Sequence, residues 1–173
     1  SKKTRYTVVD QDGEEMTLIV LCPSQGTRQI LHRWREQEES FSYIWSDDGT
    51  MLFSWQNGDS GDTYKEWQVT RYEMETESED GFGYTAVSFQ MKGNGPAWRN
   101  VCPNADGTEI YVREQFGTFD NTMSYNWLLL PATATVEALP EYSNTPACPV
   151  RYTQAGLFIQ EESGDVYLIK DIR

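Results

Sequence analysis

The sequence predicts an all-β protein: a single antiparallel up-and-down β-barrel of about ten strands, with at most one or two short helices and a β-sandwich as the alternative. Three observations carry this. Six Trp, ten Tyr and seven Phe supply wide, rigid packing surfaces in a chain whose hydrophobic residues make up only 38%, a balance that suits sheet faces better than a helix bundle. Apolar or β-branched residues alternate with polar ones from end to end, the period-2 signature of strands. Short Gly, Asp and Asn clusters separate the alternating runs, and these residues tolerate the positive φ of tight hairpin turns. A length of 173 residues fits one domain spanning residues 1–173.

Taken in order, Tyr6 to Val9 and Met16 to Leu21 flank Gln11-Asp12-Gly13. Phe41 to Trp45 and Met51 to Trp55 flank Asp47-Asp48-Gly49, and Leu157 to Gln160 and Val166 to Ile169 flank Ser163-Gly164-Asp165. Each triplet reads as a hairpin. Longer strands are expected at Tyr64 to Met74, Tyr84 to Met91, Glu109 to Phe116 and Met123 to Leu130. One flat sheet rarely holds so many strands, so they must close or split into layers. Consecutive hairpins without long crossovers favour closure. Arg28 to Glu39 is the best helix candidate, because Ile30, Leu31 and Trp34 fall at helical spacing. Ala132 to Leu139, between Pro131 and Pro140, is a second. The stretch from Pro131 to Pro149 holds four of the seven prolines and reads as a long ordered loop.

Fourteen basic against 27 acidic residues give a net charge of −13, which repels phosphate backbones and anionic lipid, so no nucleic acid is expected as a partner. The longest apolar run, around Trp127 to Leu130, is far below the roughly 20 residues of a membrane span. The first residue is Ser1 rather than Met, which suggests a chain trimmed by a protease or by a cloning decision, so that any targeting peptide would go unseen.

Cys22, Cys102 and Cys148 are each followed by proline, as in haem-responsive motifs in which a thiolate binds ferric iron. The competing reading is a small buried residue at a strand end. Leu21-Cys22-Pro23-Ser24 and Val101-Cys102-Pro103-Asn104, each soon followed by Gly-Thr, hint at a duplicated strand exit. Asp10-x-Asp12-Gly13 and Asn57 to Asp62 look like fragments of calcium loops but lack the later glycine and the bidentate Glu, so turn chemistry explains them better. With His32 the only histidine, no metal site is expected. The acidic run Glu73 to Asp80 reads as a solvated strand end. No Gly-x-Ser-x-Gly elbow accompanies His32, which leaves a hydrolase little support and the catalytic residues unknown.

The more informative constellation lies in the strand Glu109 to Phe116 and its successor. Alternation puts Tyr111, Arg113 and Gln115 on one face, opposite Ile110, Val112, Glu114 and Phe116, and puts Trp67 beside Arg71 on a face of their own strand. With Trp127, these six residues are the candidate ligand-binding set: aromatics would pack the body of an organic anion and the arginines would hold its carboxylates.

The segments Asp106-Gly107-Thr108 through Val112-Arg113-Glu114-Gln115-Phe116-Gly117 and Tyr125-Asn126-Trp127, then Leu128-Leu129-Leu130-Pro131, Cys148-Pro149, Gly156-Leu157-Phe158 and the closing Tyr167 to Arg173, resemble lipocalin-like calycins of the S-type phycobiliprotein chromophore-lyase group and related domains of unknown function. The resemblance covers about the last 70 residues and rests on short motifs. It implies a small-molecule-binding barrel in the plastid or cytoplasm, either for a bilin, an open-chain tetrapyrrole that such barrels can pass to a thiol on an acceptor protein, or for an unidentified small molecule. It also departs from that pattern, lacking the amino-terminal helix and early Trp, with Gln115 where a carboxylate is expected. The alternative is a secreted or cell-envelope β-sandwich that meets a protein or glycan through Trp45, Trp55 and Trp98.

Overall fold

The computed structural model describes residues 5–23, 26–35, 40–57, 65–75, 82–93, 98–118, 121–140, 147–161 and 163–173. They form fourteen strands in four sheets. Sheet I holds β1 (Tyr6–Asp12), β2 (Glu15–Cys22) and β3 (Thr27–Arg35), and sheet II holds β4 (Ser40–Trp45), β5 (Met51–Asn57), β6 (Lys65–Met74) and β7 (Tyr84–Gly93). Sheet III holds β8 (Trp98–Pro103), β9 (Ile110–Thr118), β10 (Asn121–Leu130) and β11 (Thr135–Leu139), and sheet IV holds β12 (Ala147–Thr153), β13 (Gly156–Glu161) and β14 (Val166–Ile169). All ladders are antiparallel between sequence neighbours.

The protein is therefore all-β, and all three expected hairpins are present. The expected single barrel is corrected: among the described residues β3 does not pair with β4, β7 with β8 or β11 with β12, so four open meanders replace one closed sheet. The sheets instead meet face to face, as the sandwich alternative has it, but in four layers. Leu18, Val20 and Cys22 of sheet I pack on Leu52, Tyr72 and Met74 of sheet II. Met51, Phe53, Trp67 and Val69 of sheet II pack on Val101, Ile110, Val112 and Leu129 of sheet III. Cys102, Tyr111 and Leu128 of sheet III then pack on Tyr152, Leu157 and Ile159 of sheet IV. Sheets II and III are covered on both faces, which is why Met51-Leu52-Phe53 and Leu128-Leu129-Leu130 are continuous apolar runs rather than alternating ones.

The helix expected at Arg28 to Glu39 is corrected to strand β3, residues 36–39 lying outside the described ones. Ile19 pairs with Ile30 and Leu18 with His32, so Leu31 is an extra residue on β3. Such a bulge breaks the period of two and sets Ile30, Leu31 and Trp34 at a spacing that mimics a helix. The second helix candidate, Ala132 to Leu139, is corrected to a turn and the short strand β11, whose backbone pairs with Asn126 to Leu130. The stretch from Pro131 to Pro149, expected as a loop, thus contains β11 and the start of β12.

One turn is built twice. After β4, the Ser46 amide donates to Met51 O (2.9 Å), the Gly49 amide donates to Ser46 O (2.9 Å), and Asp48 accepts from the Thr50 amide (3.0 Å) and hydroxyl (2.8 Å). After β8, the Asn104 amide donates to Glu109 O (2.9 Å), the Gly107 amide donates to Asn104 O (3.1 Å), and Asp106 accepts from the Thr108 amide (3.2 Å) and hydroxyl (2.7 Å). Gly49 and Gly107 have φ of 71° and 65°, the left-handed region in which a Cβ is costly. This Asp-Gly-Thr turn, between the first and second strands of sheets II and III, is the repeat. The Cys-Pro pair is not: Cys22 ends a second strand and Cys102 lies near the end of a first.

Candidate functional site

The first strands of sheets II, III and IV end side by side. There the chain leaves a cleft of about 270 Å³, lined by Trp45 and Asp47 from the β4 exit, Asn104 and Ala105 from the β8 exit, and Arg151 and Tyr152 of β12. The repeated turn sets two of these three walls, because its hydrogen bonds fix how the chain leaves β4 and β8. The third wall bends at a bulge between Pro149 and Arg151, the kind of irregularity that re-aims a side chain.

Across the mouth, Arg151 Nη2 lies 2.5 Å from Asp47 Oδ2, with both side chains more than 60% exposed. An ion pair so open to water contributes about 0–1 kcal/mol, so a ligand can separate it at little cost. The Tyr152 hydroxyl donates to the Glu109 carboxylate, whose other oxygen accepts from Arg173 Nη2 at 2.8 Å, neither of these two partners lining the cleft. The Trp45 indole N–H donates to the Thr7 hydroxyl of β1, which holds its ring at the cleft edge. Cys102 also lines the cleft, but burial pushes its thiol up to about 11, so it is protonated at neutral pH and is a poor nucleophile or metal ligand.

The six residues expected to bind a ligand fall on two sides of sheet III. Trp67 is buried and Trp127 half-buried in the core between sheets II and III. Arg71, on the same side, donates to Gly107 O (3.2 Å) and pairs with Glu73. On the other side, Tyr111 is 1% exposed with its hydroxyl donating to Asn126 Oδ1 (2.6 Å). Arg113 is 3% exposed with a guanidinium nitrogen 3.4 Å from Ser124 Oγ, and Gln115 is half-buried. The alternation read from β9 is present, with Tyr111 packed towards sheet IV and Ile110 and Val112 towards sheet II. None of the six lines the cleft.

Of the aromatic contacts expected for an interaction domain, Trp45 lines the cleft, Trp55 packs against the core between sheets II and III, and the side chain of Trp98 lies outside the described residues. The two described Cys-Pro thiols do not fit haem: Cys22 is wholly buried between sheets I and II, and Cys102 is held protonated. The side chain of Cys148 lies outside the described residues, as do Gly58 to Asp62 and Thr76 to Asp80. Asp12-Gly13 forms the β1–β2 turn. Among the described residues no group of three His, Cys, Asp or Glu is placed to hold a metal ion, and no helix is long and apolar enough to cross a membrane.

Sequence reasoning passed over a buried ion pair. Arg99 of β8 and Glu114 of β9, each with 1% of its side chain exposed, meet at 2.8 Å, and the guanidinium also lies 4.2 Å from the centre of the Trp67 ring. Burial lowers the Arg99 pKa and raises that of Glu114, and their mutual attraction opposes both shifts. Assigning Glu114 to the face opposite Arg113 was the available signal: that face is apolar, and a carboxylate there needs a cation. The cleft residues carried no such signal, because they lie on three strand exits up to about a hundred residues apart in sequence.

No protein-family profile and no curated protein matches the chain. Among solved structures, it is similar to the crystal structure of uncharacterized protein lmo1340 from Listeria monocytogenes EGD-e, at a TM-score of 0.51 and 9% identity, over 99% of this chain and 52% of that one. The chain thus spans about half the length of that protein, and the likeness is one of fold.

Proposed function

We propose that this chain is a binding module that takes a small or segmental ligand bearing a carboxylate, such as a peptide carboxyl terminus, in the cleft where β4, β8 and β12 end. The observation that carries the reading is the Arg151–Asp47 pair at its mouth: the guanidinium is exposed, is weakly held, and presents the fork that matches a carboxylate. Trp45 and Tyr152 flank it as rigid amphipathic surfaces, the side chains that dominate binding hot spots. Organic-anion recognition by arginine and aromatics is the chemistry expected from the sequence, now centred on Arg151 rather than on Arg113 and Arg71. At about 270 Å³, the cleft lies just below the roughly 300–1,000 Å³ of pockets that enclose drug-sized ligands. It favours a short segment over a bilin, so the tetrapyrrole carrier is not the reading adopted.

Titration of the 15N-labelled protein with N-acetyl-glycyl-glycine, as free acid and as amide, tests this. The free acid should shift the signals of Trp45, Asn104 and Arg151, and both the amide and the Arg151→Gln variant should bind at least tenfold more weakly, about 1.4 kcal/mol. Equal binding of acid and amide, or shifts elsewhere, would reject the site.

A further inference from the structure

We infer that the two outer faces of the four-sheet stack are interfaces that join two copies of this chain head to tail, sheet I of each copy packing on sheet IV of the other, to close a ring of eight sheets. Each sheet is an antiparallel meander entered at its first strand and packed face to face on the next in chain order. Backbones of sheets II, III and IV approach most closely at their first and second strands: β12 lies against β8 and β9, and β8 against β5. Layers that converge at their early strands form a fan rather than a parallel pile. Repeated radially, that is the arrangement of propeller blades, which number 4–8 around a central channel.

Among the described residues, a fan of four leaves two faces without a neighbouring sheet, and each carries an apolar patch, beside Asp10, Glu15 and Arg33 on sheet I and beside Gln160 and Arg151 on sheet IV. On sheet I, Thr7 and Leu18 face sheet II, so alternation turns Tyr6 and Val8 outward, where they are 53% and 39% exposed, with Leu21 and Ile30 beside them in the ladder. On sheet IV, Leu157 and Ile159 face sheet III, so Phe158, Leu168 and Val166 turn outward, the last two 37% and 56% exposed. Each face continues the kind of sheet-on-sheet interface that the chain already makes three times. The two ends are also different surfaces, so one can cap the other. A contact of this heterologous kind either closes a ring or grows a filament, and two fans of four reach the upper limit of the propeller range, where closure ends growth. In the closed ring, the cleft at the ends of β4, β8 and β12 would open onto the central channel.

Sedimentation velocity of the 173-residue protein at tens of micromolar tests this, paired with circular dichroism melts to confirm that each variant folds. The expected result is a single species of twice the 19.9 kDa chain mass, converted to a folded monomer by Val8→Asp alone and equally by Leu168→Asp alone, since each ring interface uses one face of each kind. A wild-type monomer would overturn the proposal. So would a series of growing oligomers, a dimer broken by only one of the two substitutions, which indicates a like-on-like contact, or a dimer that neither substitution breaks.

Discussion

The two Asp-Gly-Thr turns share hydrogen bonds and backbone angles but differ in their surroundings. Gly49 faces open space, whereas a Cβ on Gly107 would collide with Met51 Sδ and press on the Phe53 ring across the interface between sheets II and III. Gly107 O also accepts from Arg71 Nη1. Both turns therefore need glycine for their φ, and only the second also needs it for space. Local chemistry sets the shape of a turn, and the stacking of sheets decides which copy becomes part of the core.

Substitutions should separate the two demands. Gly107→Ala should cost about 2–5 kcal/mol, the sum of left-handed strain and overpacking, seen as a lower urea midpoint. Gly49→Ala should cost only about 1–2 kcal/mol. If the two costs are equal, the close approach of sheet III to Met51 is wrong. Removing the carboxylates is milder: Asp48→Ala should cost about 1 kcal/mol, and Asp106→Ala slightly less, because Asp48 also accepts from the Ser46 hydroxyl at 2.7 Å.

The smallest effect is a dependence on pH. Hydrogen bonds from Ser46 and Thr50 hold the Asp48 carboxyl below its ordinary range, and those from Thr108 do the same for Asp106. A carboxylate whose pKa is lower in the folded state adds stability that is complete above the unfolded value, about 4, and disappears as pH falls through the folded one. Acid titration of urea stability should therefore slope downward below about pH 4, and the slope should be shallower in the Asp48→Asn, Asp106→Asn double variant.

Much of the secondary structure was legible because hairpin turns and period-2 alternation are local signals. The runs around Asp47-Asp48-Gly49 and Ser163-Gly164-Asp165 gave β4, β5, β13 and β14. β3 was misread where the bulge at Leu31 disturbed the period. The barrel was misread because alternation fixes which residues share a face, not which strand pairs with which. That Tyr111 and Arg113 face away from Ile110 and Val112 could be read from β9 alone; that both faces are covered by further sheets could not. The cleft was illegible for the same reason, since it exists only once three separate strand exits meet.

Four open, stacked sheets in place of one closed barrel set where every face and the cleft lie, and the junction between β7 and β8 tests this arrangement most directly. Cross-strand nuclear Overhauser contacts between Hα protons and the exchange of β8 amides, measured on the same labelled sample, read the ladder there. Open stacking predicts Hα contacts from β8 to β9 only, with every second β8 amide exchanging quickly. A continuous run of contacts from β7 to β8, with all β8 amides protected, would contradict it and restore the barrel.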